Sequence, residues 1–242
     1  MVLHNISAAI DSVNYLFCHG VGGNKDQLLY YQCYELLPVT SNSFNFNDWH
    51  NGKFDQTKTA LGQKPHIEII NHNYNLLKAE SSLPVVIYGV SRGAAAIVNF
   101  MGIERPSNVA ALILESPFAH IHDVFRHVVP CASLLPKDFI LRSLYPSYNP
   151  NGEQPINYIN TIHSDIPIAL ICSKKDKFVP YKSTKKLYNK LIESGKKNVH
   201  LLVLENGARA DLINQAEYLY FIHAFFKKYN LPYNEHFASK FE

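Results

Sequence analysis

The sequence predicts an α/β protein with a mostly parallel central sheet of about six strands and helices on both faces. Two observations support this: short β-branched apolar runs recur along the chain, and segments with helical spacing of apolar residues separate them. Apolar runs without alternation are typical of parallel strands, which are buried on both faces. The 242 residues contain no stretch that resembles an interdomain linker. We therefore expect a single domain over residues 1–242.

The first third of the chain begins this alternation. Its first helix should end at Pro38, because proline cannot continue a helix. The polar segment 48–64 contains Gly52 and Gly62, which favours an exposed loop. The expected elements are, in order, a strand at 14–18, a helix at 26–37, a polar strand at 43–47, the loop at 48–64 and a helix from 66 to about 81.

The remaining strands are expected at 84–88, 109–114, 167–172 and 199–204, with helical segments between them. Between 116 and 164 the alternation gives way to an apolar insertion punctuated by prolines. Such a segment is either additional core or a cap over a pocket. Ligands bind outside the carboxyl ends of the strands in sheets of this type. We therefore expect a cap or lid over 116–164 that walls an acyl or alkyl pocket.

The pentapeptide Gly89-Val90-Ser91-Arg92-Gly93 stands between an expected strand and an expected helix. This context is typical of a nucleophile elbow, a sharp turn that exposes a reactive serine and tolerates no side chain on either flank. Ser91 is therefore the candidate nucleophile. The backbone amide of Arg92, at the start of the helix, is one expected donor to the oxyanion that forms during acyl transfer.

The segment His19-Gly20-Val21-Gly22-Gly23 follows the first expected strand. Its three glycines allow the backbone to approach a substrate, so the amide of Val21 is the second expected oxyanion donor. His19 is expected to support the loop rather than to bind a metal.

The glycine loop 19–23 and the elbow 89–93, in this order, resemble the α/β-hydrolase-fold serine hydrolases, a superfamily with lysophospholipase-, esterase- and peptidase-like members. The resemblance extends from Asn14 to about Tyr229. It implies a reduced sheet of about six strands, because the segment before Asn14 is too short for two extra strands. It also implies a cofactor-independent hydrolase of an acyl ester or thioester, with Asp176 as the acid of the catalytic triad.

The position of the catalytic base departs from this pattern. The family places its histidine in the loop after the strand 199–204, and Arg209 occupies that position here. Arginine stays protonated and has no acceptor lone pair, so it cannot take the serine proton. Loss of the histidine in a comparable serine hydrolase costs on the order of a millionfold in turnover. Arg209 could pair with Asp176 instead, and His120 or His122 could supply a base from the insertion.

Two functions therefore remain open. The first is a serine hydrolase whose activity is impaired by Arg209. The second is an inactive pseudoenzyme that uses the same pocket or its surface to bind a small molecule, a lipid or a protein. The sequence leaves the oligomeric state open.

Several other classes of function are not expected. His120-Ile121-His122-Asp123 could chelate zinc, but no second ligand cluster stands at a familiar spacing, so no metal is expected. A net charge of +3 without a nucleic-acid-binding motif argues against nucleic acid. The four cysteines form no C-x-x-C pair, and neither a signal peptide nor a membrane span is recognisable. These features predict a reducing, cytoplasmic location.

Overall fold

A computed structural model of the chain describes residues 13–33, 36–38, 40–129, 131, 134–207 and 212–232. The strands are β1 (Asn14–Cys18), β2 (Asn42–Ser43), β3 (Trp49–His50), β4 (Lys53–Phe54), β5 (Val85–Val90), β6 (Val109–Glu115), β7 (Ile168–Ser173) and β8 (Val199–Leu204). The helices are α1 (Gln27–Cys33), α2 (Lys64–Glu80), α3 (Arg92–Ile103), α4 (Ile121–Val128), α5 (Lys137–Leu144), α6 (Pro155–Tyr158), α7 (Tyr181–Glu193) and α8 (Ala216–Lys228).

Six of the strands form one sheet in the order β2-β1-β5-β6-β7-β8, and every neighbouring pair is parallel. Strands β5 and β7 are buried along their whole length. This confirms the expected parallel sheet of about six strands. Because all six strands run in the same direction, their carboxyl ends meet at one edge.

Helices cover both faces of the sheet, as predicted. One face packs against α2, α3 and α7 through side chains such as Ile70, Ile97 and Leu187. The other face packs against α1 and α8 through side chains such as Leu28 and Phe226. Alternate residues along each strand point to opposite faces, so each strand contributes to both layers.

Three expectations for the first third need correction. The described part of helix α1 is Gln27–Cys33, and residues 36 and 37 are not helical, so the helix does not reach residue 37. The second strand comprises only residues 42–43; beyond it the Phe46 amide donates to the His19 side chain at 3.2 Å and not to a neighbouring strand. The segment 48–64 is not simply an exposed loop: it contains the β3–β4 hairpin, and Asp48 and Thr59 are fully buried.

The insertion 116–164 is helical and contributes to a third apolar cluster. Phe125 of α4, Leu141 of α5 and Tyr148 pack together with Ala95 of α3 and Val179. Ala95 lies one turn after Ser91, and Val179 lies three residues after Asp176. The insertion therefore packs at the carboxyl edge of the sheet, and its role as a cap stays a prediction.

Candidate active site

Ser91 lies in the turn between β5 and α3 with φ 54° and ψ −113°. A positive φ is costly for a residue with a side chain, on the order of 1–3 kcal/mol, and persists only where the surroundings impose it. Here the Ser91 amide donates to the Glu115 carbonyl of β6 at 2.7 Å, and the Ser91 carbonyl accepts from the Ala95 amide at 3.0 Å. The structure thus places Ser91 in a sharp, strained strand–turn–helix junction, as the predicted nucleophile elbow requires.

Both glycines of the pentapeptide are required by their surroundings. A Cβ on Gly93 would lie 2.7 Å from the His19 carbonyl oxygen, and one on Gly89 would lie 2.8 Å from the Ala94 nitrogen. Distances below 3.0 Å to backbone atoms leave no room for a methyl group. The close approach at Gly93 also brings the start of α3 against the end of β1.

The glycine loop 19–23 contacts the elbow directly. A Cβ on Gly20 would lie 3.6 Å from the Ser91 Cβ and 3.5 Å from the Val90 carbonyl oxygen. Gly22 adopts φ +74°, which favours glycine, and the Gly23 amide closes the turn on the Gly20 carbonyl at 3.2 Å. The fold thus brings the loop that carries Val21 beside the helix start that carries the Arg92 amide.

His19 is fully buried and supports this loop. Its Nε2 accepts from the Phe46 amide at 3.2 Å, so the neutral ring carries its proton on Nδ1, which donates to the Gly20 carbonyl at 2.8 Å. Burial, together with the positive charge of Arg92, lowers the pKa of His19 to about 3. The ring is therefore neutral at physiological pH.

The Arg92 side chain has a role that the sequence analysis did not assign. Its guanidinium is fully buried and forms an ion pair with Asp48, whose Oδ2 also accepts from the Thr59 hydroxyl at 2.5 Å. Nη2 of Arg92 donates to the Gly20 carbonyl at 2.9 Å, and Cζ lies 4.3 Å from the centre of the Phe46 ring. The Arg92 side chain therefore holds the glycine loop against the turn that carries Ser91. The sequence predicts a role only for the Arg92 amide.

Asp176 lies in the loop after β7 and is buried. One carboxylate oxygen, Oδ1, accepts from the amides of Phe178 at 2.8 Å and Val179 at 3.0 Å. The other, Oδ2, is buried and has no hydrogen-bond partner among the described residues. A buried carboxylate oxygen without a donor is costly in free energy.

The segment that follows β8 starts next to the loop that carries Asp176. The Lys174 amide donates to the Leu204 carbonyl at 2.9 Å, and the Ser173 hydroxyl donates to the Asn206 carbonyl at 3.1 Å. Residues 208–211, with Arg209 among them, lie outside the described residues. The described residues 205–207 follow β8 directly and lie next to the end of β7 and the loop that carries Asp176.

The two histidines considered as substitute bases are engaged within the insertion. His120 precedes α4, and its Nδ1 accepts from the His122 amide at 3.0 Å. His122 Nε2 lies 2.7 Å from a carboxylate oxygen of Asp138. A third histidine, His127, places its Nε2 3.0 Å from the backbone carbonyl of Asp176. No motif singles out His127, because only the packing of α4 brings it to this loop.

Glu115 is a buried carboxylate whose backbone contacts the turn that carries Ser91. Glu115, at the end of β6, accepts from the hydroxyls of Tyr31 at 2.9 Å and Tyr218 at 2.8 Å, and the Tyr88 hydroxyl contacts that of Tyr218. Burial, together with the charge of Glu115, raises the pKa of each of these tyrosines well above its ordinary value. The cluster joins α1, α8 and two strands at the point where Glu115 also binds the Ser91 amide.

The described residues hold neither a metal-ligand cluster nor a membrane-spanning helix. Over the part of the chain that the structure describes, no group of three His, Cys, Asp or Glu residues could hold a metal ion. Within the same part, no helix is long and apolar enough to cross a bilayer.

The structure is similar to several solved structures. An esterase from Pyrococcus furiosus superimposes with a TM-score of 0.65 over 90% of this chain and 83% of its own, at 18% sequence identity. Alpha/beta hydrolase domain-containing protein 10 from mouse superimposes with a TM-score of 0.58 over 90% and 89%, at 14% identity. The chain has the α/β-hydrolase fold. An acylaminoacyl peptidase from Pyrococcus horikoshii shares the fold, with a TM-score of 0.64 over 93% of this chain and 38% of its own, at 16% identity.

Comparison by sequence finds relatives that are themselves uncharacterized proteins. No family model matches this α/β-hydrolase-fold chain. It is 26% identical over 201 residues to the uncharacterized protein YfhR of Escherichia coli K12 and 27% identical over 204 residues to the uncharacterized protein YqkD of Bacillus subtilis 168. The matches cover 81% of this chain but only 62% and 64% of those proteins, so the chain spans less than two thirds of their length.

Proposed function

We propose that the protein is a serine hydrolase of the α/β-hydrolase fold that cleaves an acyl ester or thioester, with Ser91 as nucleophile. The observation that carries the proposal is the positive φ of Ser91 between two glycines that admit no side chain. Strained backbone of this kind clusters at active sites, and the strand–turn–helix context is the one that a nucleophilic serine requires. The esterase and the peptidase that share the fold are consistent with acyl transfer.

In this reaction the Ser91 oxygen attacks the acyl carbon, and the carbonyl electrons move onto its oxygen. The amides of Val21 and Arg92 are proposed to bind that oxyanion. When the carbonyl re-forms, the alcohol or thiol leaves with a proton, and an acyl-serine remains. Water then attacks the acyl-serine, which releases the acid and restores the hydroxyl.

The proposal assigns Asp176 as the acid of the site. Its Oδ1 is held by two backbone amides, and its buried Oδ2 has no donor among the described residues. This is the arrangement that an acid needs in order to orient an imidazole N–H. The imidazole itself is missing at position 209, so we expect the chain to have slow turnover with its present sequence.

A histidine scan of the segment between β8 and α8 tests this account. We expect at least one of Ala208→His, Arg209→His, Ala210→His and Asp211→His to raise fluorophosphonate labelling and hydrolysis of a short p-nitrophenyl ester by about 100-fold or more, the usual contribution of a general base. Ser91→Ala in the same background should abolish both signals. If all four histidine variants fold and remain inert, the missing-histidine account is wrong.

The same assays separate the alternatives. Activity in the unchanged chain that is lost in His127→Asn, His120→Asn or His122→Asn would place the base in the insertion. Undiminished hydrolysis by the Ser91→Ala protein would overturn the serine mechanism. The pseudoenzyme alternative is favoured by Arg209 alone, and it predicts that the unchanged chain stays unlabelled by the fluorophosphonate.

A further inference from the structure

The insertion carries a cluster of exposed apolar side chains. Leu134 is 84% exposed and Phe139 is 71% exposed, and Val128, Leu135 and Leu144 are exposed as well. Five of the twelve exposed large hydrophobic residues among those described therefore lie between positions 128 and 144. Single exposed apolar residues are ordinary, but several within one short stretch of chain point to an interaction surface. We call these five residues the apolar surface of the insertion.

Helix α5, which carries Phe139 and Leu144, is held in place by contacts on its other side. Leu141 of α5 is buried in the third apolar cluster, so the opposite side of the helix is anchored. His122 of α4 and Tyr148 both bind Asp138 of α5, at 2.7 and 3.2 Å. The Gln56 side chain donates to the Leu144 carbonyl at 3.0 Å. The fold thus presents Phe139 to solvent while it holds the helix that carries Phe139 in place.

The apolar surface continues towards the loop of Asp176. The 3.0 Å contact between His127 and the Asp176 carbonyl brings the end of α4 to that loop. Phe178, two residues further on, is another exposed aromatic side chain. The surface therefore borders the segment that carries the proposed acid.

The charge around this surface is positive. Arg142, Lys175 and Lys177 are exposed, and no ion pair joins them to a carboxylate within the described ranges. The nearby carboxylates are already engaged, Asp138 by His122 and Asp123 by Lys186 at 2.7 Å. An apolar patch with a basic rim is complementary to a lipid surface that bears negative headgroups.

We propose that the apolar surface of the insertion docks on an anionic membrane surface. Leu134 and Phe139 enter the interface between headgroups and acyl chains, while Arg142, Lys137 and the lysines beside Phe178 face the phosphates. This inference goes beyond the proposed hydrolase function, because docking requires neither Ser91 nor a catalytic base.

Vesicle co-sedimentation tests the proposal with the whole chain. We expect binding to vesicles of phosphatidylcholine with phosphatidylglycerol, weaker binding without phosphatidylglycerol, and weakening by salt. The double variant Leu134→Ser/Phe139→Ser should lose about tenfold or more in affinity. Lys137→Glu/Arg142→Glu should lose binding that depends on phosphatidylglycerol. Ser91→Ala should bind like the unchanged chain, which separates this proposal from the hydrolase proposal.

The matched control is Leu29→Ser/Tyr220→Ser, because these two side chains are 58% and 55% exposed on α1 and α8. It should bind vesicles like the unchanged chain. Phe139→Trp supplies a second readout, since its fluorescence should shift to shorter wavelength on vesicles that contain phosphatidylglycerol. The proposal is overturned if the unchanged chain binds neither kind of vesicle, or if the Leu134→Ser/Phe139→Ser variant binds as well as the control. It is also overturned if the surface instead joins two copies of the chain in solution.

Discussion

Arg92 combines two tasks that depend on different parts of the same residue. Its amide stands at the start of α3, where it is proposed to bind an oxyanion, and its side chain holds the Gly20 carbonyl. The guanidinium can be buried there because Asp48 neutralises it and Phe46 covers it. A buried ion pair contributes little net stability, but removal of one partner leaves an uncompensated charge in the interior.

Asp48→Asn should therefore destabilise the protein by about 3–5 kcal/mol. The matched control is Asp165→Asn, because Asp165 is a carboxylate on the surface. It should change the free energy of unfolding by less than about 0.5 kcal/mol. Urea unfolding followed by circular dichroism measures both. A cost below about 1 kcal/mol for Asp48→Asn would show that the Arg92 charge is satisfied without this carboxylate.

At the scale of the elements, the strand–turn–helix unit around Ser91 is the part that the sequence predicts best. The run 84–88 and the glycines at 89 and 93 specify both the strand and the turn, because local sterics decide them. The segment 48–64 was predicted poorly for the opposite reason. Asp48 and Thr59 are polar, and their burial depends on an arginine more than thirty positions later.

Gly93→Ala and Gly195→Ala should differ sharply. Alanine at 93 would bring its Cβ to 2.7 Å from the His19 carbonyl, so we expect a loss of about 3 kcal/mol or more and loss of probe labelling at Ser91 in the activated histidine variant. Gly195 follows α7 with φ +81° and open space around it, so alanine there should cost only about 1 kcal/mol. Equal costs in thermal or urea unfolding would show that α3 can move away from β1.

At the scale of the whole molecule, two buried histidines link stability to pH. Burial, with the charge of Arg92, lowers the pKa of His19 to about 3. Burial, with the charges of Arg92 and His19, lowers the pKa of His66 well below its ordinary value. In the unfolded chain both titrate near 6.5, so below that pH the unfolded chain binds protons that the folded chain does not bind.

The stability from these two histidines should therefore be complete above about pH 6.5 and should fall as the pH drops towards 3. Each can contribute up to about 1.4 kcal/mol per pH unit to that slope. Urea unfolding at several pH values measures the slope, and NMR of the imidazole nitrogens reports each ring separately. A His19 ring that titrates near pH 6.5 in the folded protein would contradict this account.

Apolar periodicity and glycine sterics act over a few residues, so the α/β architecture and the turn that carries Ser91 followed from the sequence, whereas the choice of Asp176 followed from the resemblance to the hydrolases. The sequence also showed that no histidine stands at position 209. The surroundings of these residues became known only from the packing of the folded chain: the burial of Asp48 against Arg92, the contact of His127 with the Asp176 loop, and the exposure of Phe139 on α5. Each of these depends on side chains far apart in the chain, whose approach is set by the packing of helices and loops at one sheet edge.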